Sequence, residues 1–157
     1  MVTAWRITKR KHARNAFTGQ GAREFGGRWN NPGTAIVYTA QSQSLAALEM
    51  LVHLDSSELL EKYVLIGVEF DPSLIRLVEL SALPRHWTSD PPPPEVRSVG
   101  DDWVLARSSA VLQVPSTLVP GENNFLLNPE HQDFVGLRFG RPLAFRFDPR
   151  LKRSCGF

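Results

Sequence analysis

The sequence of 157 residues has one cysteine, almost no net charge and no long apolar run. Cys155 alone cannot form an internal disulfide or a cysteine-rich zinc site, and it agrees with a reducing compartment. No stretch approaches the roughly 18 to 20 apolar residues that a membrane helix needs, and the basic residues 1–17 lack the apolar segment of a signal peptide. We therefore expect a cytoplasmic protein with no membrane partner and no bound metal.

The balance of charge and apolar residues is that of an ordinary globular protein. A net charge of +2 is too small to argue for nucleic acid, so no direct nucleic-acid binding is expected. With 42% hydrophobic and 22% charged residues, the chain is long enough for one domain with a sizeable core. We predict a single domain over residues 1–157.

Apolar periodicity predicts a mixed α/β chain with more strand than helix. A run of four prolines after Ser89 and Asp90 is expected to be an exposed connection between its two parts. Helices are predicted over 44–54 and from Pro94 through Trp103, where Gly100 weakens the middle. The predicted strands are 5–7, 35–40, 63–70, 75–80, 110–114, 124–127 and 142–148.

A carboxylate, Glu49, interrupts the otherwise apolar helix predicted over residues 44–54. It follows Leu45 by four positions and precedes Val52 by three, so all three share the stripe that should face a core. A buried carboxylate is costly unless its charge is compensated. We predict that Glu49 is shielded from water for a functional reason, although an acid held by an arginine purely as structure would give the same pattern.

A second pattern lies just before that helix. Gly26 and Gly27 allow positive φ and the close approach of a ligand, and Arg28 directly after them is a planar, permanently charged fork for anions. A short turn leads into the strand that carries Tyr38 and then into the helix. Because elements joined by short connections are neighbours in space, Arg28, Tyr38 and Glu49 are predicted to share one cleft.

In the second half, Ser116 lies between two prolines in a region dense in small polar side chains that includes Asn124. The prolines stiffen the backbone and hold the serine hydroxyl in place, which suits a residue that orients a ligand, and equally a turn residue. A serine hydrolase triad with His53 or His131 is not expected, because no Gly-x-Ser-x-Gly elbow precedes a helix.

These motifs together resemble the RES family, whose members are toxins of bacterial toxin–antitoxin pairs. The matching residues extend from Trp5 to about His131, in the order and at the approximate spacings of the family. They are Trp5-Arg6-Ile7, Gly26-Gly27-Arg28-Trp29-Asn30, Val37-Tyr38, Leu45-Ala46-Ala47-Leu48-Glu49, Val114-Pro115-Ser116 and Leu126-Leu127-Asn128-Pro129.

The resemblance implies an α/β fold similar to ADP-ribosyltransferases, with a split mixed sheet and flanking helices, and an activity that consumes NAD+. NAD+ is then a substrate and no further cofactor is expected. The implied partner is an Xre-like antitoxin that covers the cleft, in a heteromeric complex or beside a homodimer. The implied catalytic residues are Arg28, Glu49 and Ser116, and the implied NAD+-binding residues are Arg6, Gly27, Arg28, Tyr38, Ser116 and Asn124.

The chemistry of such a reaction can be argued from the residues. Nicotinamide leaves NAD+ as a neutral molecule, so no general acid is needed and one carboxylate is enough, unlike ordinary glycoside hydrolysis. A preorganised carboxylate such as Glu49 stabilises the oxocarbenium-like sugar. Arg28 can bind the diphosphate, Tyr38 can stack on a ring, and Ser116 can hydrogen-bond the ribose or nicotinamide. The acceptor stays open among water, inorganic phosphate and a protein side chain.

Two other classes of protein stay open. A ribonuclease-type toxin would bind phosphates with the basic residues 9–14 and use His12 and His131 as acid and base, although a solvated surface loop explains that basic cluster as well. RNA cleavage would not explain a buried Glu49. A non-catalytic binding module would need only an apolar surface for its partner.

Overall fold

An eight-stranded mixed sheet organises residues 1–151, the part of the chain that the computed structural model describes. Cys155 lies outside the described residues. Three α-helices flank the sheet: α1 (Gln20–Phe25), α2 (Gln43–Leu51) and α3 (Pro94–Ala106). The strands are β1 (Val2–Lys9), β2 (Val37–Ala40), β3 (Tyr63–Phe70), β4 (Ile75–Leu77), β5 (Val111–Pro115), β6 (Asn123–Leu127), β7 (Arg138–Phe139) and β8 (Leu143–Phe145).

The sheet is split between β1 and β2. Its strand order is β4-β5-β6-β2-β1-β3-β7, with β8 also paired to β3, and every pairing is antiparallel except β4 with β5. Strands β1 and β3 pair along eight residues, whereas β1 and β2 pair only at Trp5 and Ala40. One half is therefore β4-β5-β6-β2 and the other is β1-β3 with β7 and β8, which agrees with the predicted split mixed sheet.

Side-chain alternation along the strands gives the sheet two apolar faces. Helices α2 and α3 cover the two halves of the same face. The core beneath α2 contains Ile7, Ala40, Leu45, Tyr63 and Leu65, and the core beneath α3 contains Ile36, Val96, Trp103, Leu112 and Leu126. The neighbouring positions on the same strands form the core of the opposite face, with Ala4, Val37, Val68, Phe70, Phe125 and Leu127.

Local sequence signals explain where the two longer helices begin and end. Ser42 caps α2, because its hydroxyl accepts a hydrogen bond from the Leu45 backbone N–H at 3.0 Å. Pro94 occupies the first turn of α3, where its missing N–H costs nothing, and Arg107 ends that helix at a φ of 51°. Within residues 1–151, no helix is long and apolar enough to cross a bilayer.

Most predicted elements are confirmed, although several begin or end at other residues. The strand over 63–70 has the predicted bounds, and the helix that begins at Pro94 continues to Ala106. The helix predicted over 44–54 is Gln43–Leu51. The strand predicted over 142–148 covers only Leu143–Phe145, because β8 pairs with β3 over three residues at the edge of the sheet. A single domain over the whole chain stays a prediction.

Candidate functional site

A cleft of about 950 Å³ opens between α2 and the segment before α3, on the face of the sheet that both helices cover. Its floor includes Trp5 and Tyr38, which lie on either side of the split. One wall is α2, with Glu49 and His53. The opposite wall is the loop of residues 26–31 together with residues 88–97, and we call these the α2 wall and the loop wall.

Asn30 holds the loop wall in one conformation. The residue is fully buried, and its Nδ2 lies 2.9 Å from the Ala22 carbonyl oxygen, 3.0 Å from that of Asn31 and 3.1 Å from that of Thr34. A buried amide that lost these partners would leave several polar groups unpaired, at about 1 to 3 kcal/mol each. The loop is therefore rigid before any ligand arrives.

The Tyr38 hydroxyl joins the strand to this loop. It donates to Asn30 Oδ1 at 2.6 Å and accepts from the Trp29 backbone N–H at 3.1 Å. Burial raises the pKa of Tyr38 well above its usual range, so the hydroxyl stays protonated at neutral pH. Gly27 is required beside it, because a Cβ there would lie 2.6 Å from the Tyr38 hydroxyl oxygen. The ring of Tyr38 remains a surface of the cleft.

Arg28 points from the loop to the segment before α3. Its Nη1 donates to the carbonyl oxygens of Trp87 at 3.2 Å and Ser89 at 2.9 Å. The proline run that follows was expected to be exposed, and this is wrong for Pro93, which is buried, while Pro92 lines the cleft. The two hydrogen bonds of the guanidinium join the segment before the prolines to the loop wall.

Helix α3 anchors the same loop through two consecutive residues. The Gly100 backbone N–H lies 2.9 Å from the Trp29 carbonyl oxygen, and a Cβ on Gly100 would lie 2.1 Å from that oxygen. The two Asp101 carboxylate oxygens accept from the Asn31 backbone N–H at 3.1 and 3.3 Å, and Oδ2 also accepts from Asn31 Nδ2 at 2.7 Å. Gly100 therefore permits a helix–loop contact, beyond the weakening of the helix that its sequence suggests.

Glu49 lies on the α2 wall and is partly buried, so the predicted shielding from water is present only in part. Helix α2 buries Leu45, whereas Val52 lies past the last residue of the helix and is 56% exposed. Burial raises the pKa of Glu49 above its ordinary value, while a side-chain hydrogen bond from Asn124 and the charges of His53 and Arg28 act to lower it. Glu49 is thus a desolvated carboxylate with incomplete compensation.

Arg6 spans the split in the sheet. Its Nη1 donates to the Tyr38 carbonyl oxygen at 2.9 Å, across the gap where β1 and β2 no longer pair. Its Nε is buried without a hydrogen-bond partner, and burial lowers the pKa of Arg6 to about 10, which leaves the side chain charged at neutral pH. Arg6 therefore supports the cleft floor and carries a positive charge into it.

The arrangement places cationic groups and a carboxylate in one cleft, as the short connections between these elements predict. The family model of the RES domain matches residues 3–148 of this chain. The chain belongs to the RES domain family. Relatives of this RES domain are named as toxins.

Two relatives match along nearly their whole length. The chain is 46% identical over 149 residues to Toxin Res of Yersinia enterocolitica, which is 94% of this chain and 98% of the relative. It is 37% identical over 156 residues to the Prs ADP-ribosylating toxin of a Sphingobium species, covering 96% of this chain and 97% of the relative. The family assigned from the motifs is thereby confirmed.

A solved structure shows the same fold. The RES domain matches a chain of the M. tuberculosis MbcT–MbcA toxin–antitoxin complex with a TM-score of 0.75 at 20% identity, covering 96% of this chain and 86% of that one. At this identity the comparison concerns the fold alone. It confirms the predicted fold class.

Ser116 occupies a different position from the other candidate residues of the RES domain. It is 5% exposed and does not line the cleft, although Pro115 and Thr117 do. Its Oγ accepts from the backbone N–H groups of Leu118 and Val119, both at 3.1 Å. The hydroxyl therefore closes a turn behind the cleft wall, and a direct contact with a ligand stays a prediction.

Asn124 lies on β6 at the cleft, where its Nδ2 donates to the Thr39 carbonyl oxygen at 3.2 Å and its amide also reaches Glu49. The histidines proposed for a ribonuclease lie elsewhere. His131 contacts the Arg107 carbonyl and the Asp133 backbone N–H, and neither His12 nor His131 lines the cleft. Within residues 1–151, no group of three or more His, Cys, Asp or Glu side chains could hold a metal ion.

Several residues that build the site were missed by sequence reasoning. Asn30 belongs to a motif that predicts no role for it, and Gly100 and Asp101 belong to a predicted helix. Their importance arises from the packing of α3 against a loop about 70 positions earlier in the chain, which no local periodicity encodes. The unusual position of a glycine inside a predicted helix was the one available signal.

Proposed function

We propose that this RES domain is the toxin of a toxin–antitoxin pair and that its cleft breaks the bond between nicotinamide and ribose in NAD+. The observation that carries the proposal is Glu49, a partly buried carboxylate in the same cleft as the Asn124 amide and the Arg28 guanidinium. The names of the Yersinia and Sphingobium relatives support the coarser part, a toxin.

In this mechanism Glu49 stabilises the positive charge that develops on the nicotinamide ribose as the bond from C1′ to nitrogen breaks. Nicotinamide leaves with the bonding electron pair as a neutral molecule, so no proton has to be delivered to it. Asn124 orients the carboxylate. Because the desolvated carboxylate is only partly compensated, its interaction with a cationic sugar is stronger than with the neutral ribose of the ground state.

Arg28 and the backbone of the glycine loop bind the diphosphate, and the Tyr38 ring stacks against a ring of the substrate. The Tyr38 hydroxyl is not proposed as an acid or a base, since its one proton and one acceptor site are already used by Asn30 and Trp29. Arg6 acts from the floor, where its charge favours an anionic substrate. Ser116 acts behind the wall by holding the turn that carries Thr117.

Water or inorganic phosphate is proposed as the acceptor of the ADP-ribosyl group, which makes the enzyme a glycohydrolase or a phosphorylase. A protein acceptor is the second candidate, and the name of the Sphingobium relative, an ADP-ribosylating toxin, favours it. The donor half of the reaction is identical in the three cases, because each acceptor attacks the same cationic sugar.

An antitoxin is the proposed partner, in a heteromeric complex in the cytoplasm. The solved relative is a toxin–antitoxin complex, and the rim of this cleft exposes apolar side chains, with Phe25 81% and Val52 56% exposed. Apolar surface around a polar cleft is typical of an interface that a partner covers.

Mass spectrometry of the products decides between these reactions. Purified protein freed of antitoxin should release nicotinamide from NAD+ and yield ADP-ribose in phosphate-free buffer, or its 1″-phosphate when phosphate is the acceptor. Addition of a cell lysate should produce ADP-ribosylated protein only if a protein side chain is the acceptor. NAD+ that stays intact under all three conditions would contradict the proposed function.

A further inference from the structure

Arg97 is a third arginine of the cleft, and neither the motifs nor the mechanism above uses it. It lies in α3, one turn before the two residues that hold the loop wall, Gly100 and Asp101. Residues three and four positions apart share a helix face, so Arg97 lies on the face that packs against the loop. Long side chains on a helix lean toward its N-terminus, which directs Arg97 toward Pro92.

The surroundings of Arg97 leave its charge without a protein partner. The side chain lines the cleft, its Nε is buried with no hydrogen-bond partner, and it forms no salt bridge with a carboxylate of residues 1–151. The carboxylate one turn away, Asp101, is occupied by Asn31. A partly buried guanidinium without an acceptor is costly, and an anionic ligand is the simplest group that would satisfy it.

Arg28 and Arg97 flank the same segment of chain. Arg28 binds the carbonyl oxygens of Trp87 and Ser89, and Arg97 lies beyond Pro92 at the start of α3. Burial raises the pKa of Glu49, and the charge of Arg28 acts to lower it. Arg28 and Arg97 line separate parts of the loop wall, with Arg28 on the loop of residues 26–31 and Arg97 on α3.

We propose that Arg97 binds the phosphate on the adenosine side of the dinucleotide, and that it selects dinucleotides over mononucleotides. This assignment rests on the proposed function, which puts the nicotinamide ribose at Glu49. The phosphate next to that ribose then meets Arg28, and the second phosphate continues along the loop wall to Arg97. The two guanidiniums match the two negative charges of the diphosphate.

Steady-state kinetics of Arg97→Met test the assignment. Methionine keeps an unbranched side chain of similar reach and removes the charge. The KM for NAD+ should rise about tenfold or more, the size expected for losing one charge-assisted hydrogen bond, while kcat stays within about twofold. Arg85→Met, which removes an exposed arginine outside the cleft, should leave both constants unchanged. An unchanged KM, or a fall in kcat alone, would overturn the inference.

Competition experiments identify which of the two phosphates Arg97 binds. Nicotinamide mononucleotide carries only the phosphate next to its ribose, so its inhibition constant should be the same in the wild-type protein and in Arg97→Met. An equal loss of affinity for the mononucleotide and the dinucleotide would mean that Arg97 binds the phosphate next to the nicotinamide ribose, and it would overturn the assignment.

A binding measurement separates this inference from the proposed reaction. Calorimetry with ADP-ribose should show about tenfold weaker binding to Arg97→Met than to the wild-type protein. Binding that depends on Arg97 in a protein that leaves NAD+ intact would support the subsite and contradict the reaction. Turnover of NAD+ that is insensitive to Arg97 would contradict the subsite alone, and a wild-type protein that neither turns over NAD+ nor binds ADP-ribose would contradict both.

Discussion

The loop wall of the cleft holds Asn30, Asn31 and Arg28 in hydrogen bonds to the protein, whereas the α2 wall presents the partly buried Glu49 with an exposed Val52 beside it. The first wall is fixed from three directions, by α1, by β2 and by α3. The second wall is one short helix, which packs on the sheet through residues that include Leu45 and Ala46.

This difference indicates that the loop wall serves substrate binding and the α2 wall serves the reaction. Because the loop wall already holds Arg28 in place, little conformational entropy is lost when an anion binds. A partly compensated carboxylate keeps its capacity to stabilise a charge that appears only during reaction. Changes in the loop wall should therefore affect stability first, and changes in the α2 wall should affect turnover first.

Asn30→Ala should have the largest effect on stability. It removes an amide whose two N–H groups serve three carbonyl oxygens and leaves the Tyr38 hydroxyl without its acceptor, so the free energy of unfolding should fall by about 3 to 5 kcal/mol. Chemical denaturation measures the loss. Asn15→Ala, an exposed control, should change stability by less than about 0.5 kcal/mol. Equal effects of the two substitutions would show that the loop wall is not rigid.

Gly100→Ala should have the next largest effect. The new Cβ would lie 2.1 Å from the Trp29 carbonyl oxygen, so the loop or the helix must shift, at a cost of about 1 to 3 kcal/mol. Gly21→Ala is the matched control, since Gly21 also lies in a helix and has open space around its Cβ position. Alanine there should raise stability by about 0.5 to 1 kcal/mol. The same sign for both substitutions in thermal unfolding would contradict the close contact.

The strands and the shared cleft could be predicted from the sequence, because both depend on local signals. Alternating apolar residues mark β3, and short connections bring Arg28, Tyr38 and Glu49 together. The extent to which Glu49 is buried could not be predicted, because helical spacing identifies a stripe but not how much of it a neighbour covers. Leu45 is covered and Val52 is not.

The support for the loop wall could not be predicted, because it consists of contacts between residues far apart in the chain. Asp101 binds Asn31 across 70 positions, and Arg28 reaches Ser89 across 61. Neither contact produces a periodic pattern in the sequence. A sequence motif indicates which residues belong to the site. The packing of α3 against the loop determines which of those residues are held in place.

Ser116→Ala should have a smaller effect. It removes the acceptor of two backbone N–H groups in the turn behind the wall, so stability should fall by about 1 kcal/mol with little change in the KM for NAD+. Ser98→Ala, in which a helical hydroxyl donating to the Pro94 carbonyl is lost, should be close to neutral. A large rise in KM with unchanged stability would instead assign Ser116 a direct contact with the ligand.

The smallest effect concerns pH. Because burial raises the pKa of Glu49 in the folded protein, the stability linked to its protonated form is present at low pH and is lost as pH rises from about 4.3 through the raised pKa. The free energy of unfolding of the wild-type protein, relative to Glu49→Gln, should fall across that range, while kcat rises as the carboxylate ionises. A stability difference that increases with pH would contradict the raised pKa.

The rate of nicotinamide release from NAD+, compared between the wild-type protein and Glu49→Gln, tests the central claim most directly. Glutamine keeps the shape of the side chain and its place beside Asn124, and it removes the charge that should stabilise the sugar cation. We predict that kcat falls at least about 100-fold with no loss of stability. A variant that releases nicotinamide as fast as the wild-type protein would contradict the account.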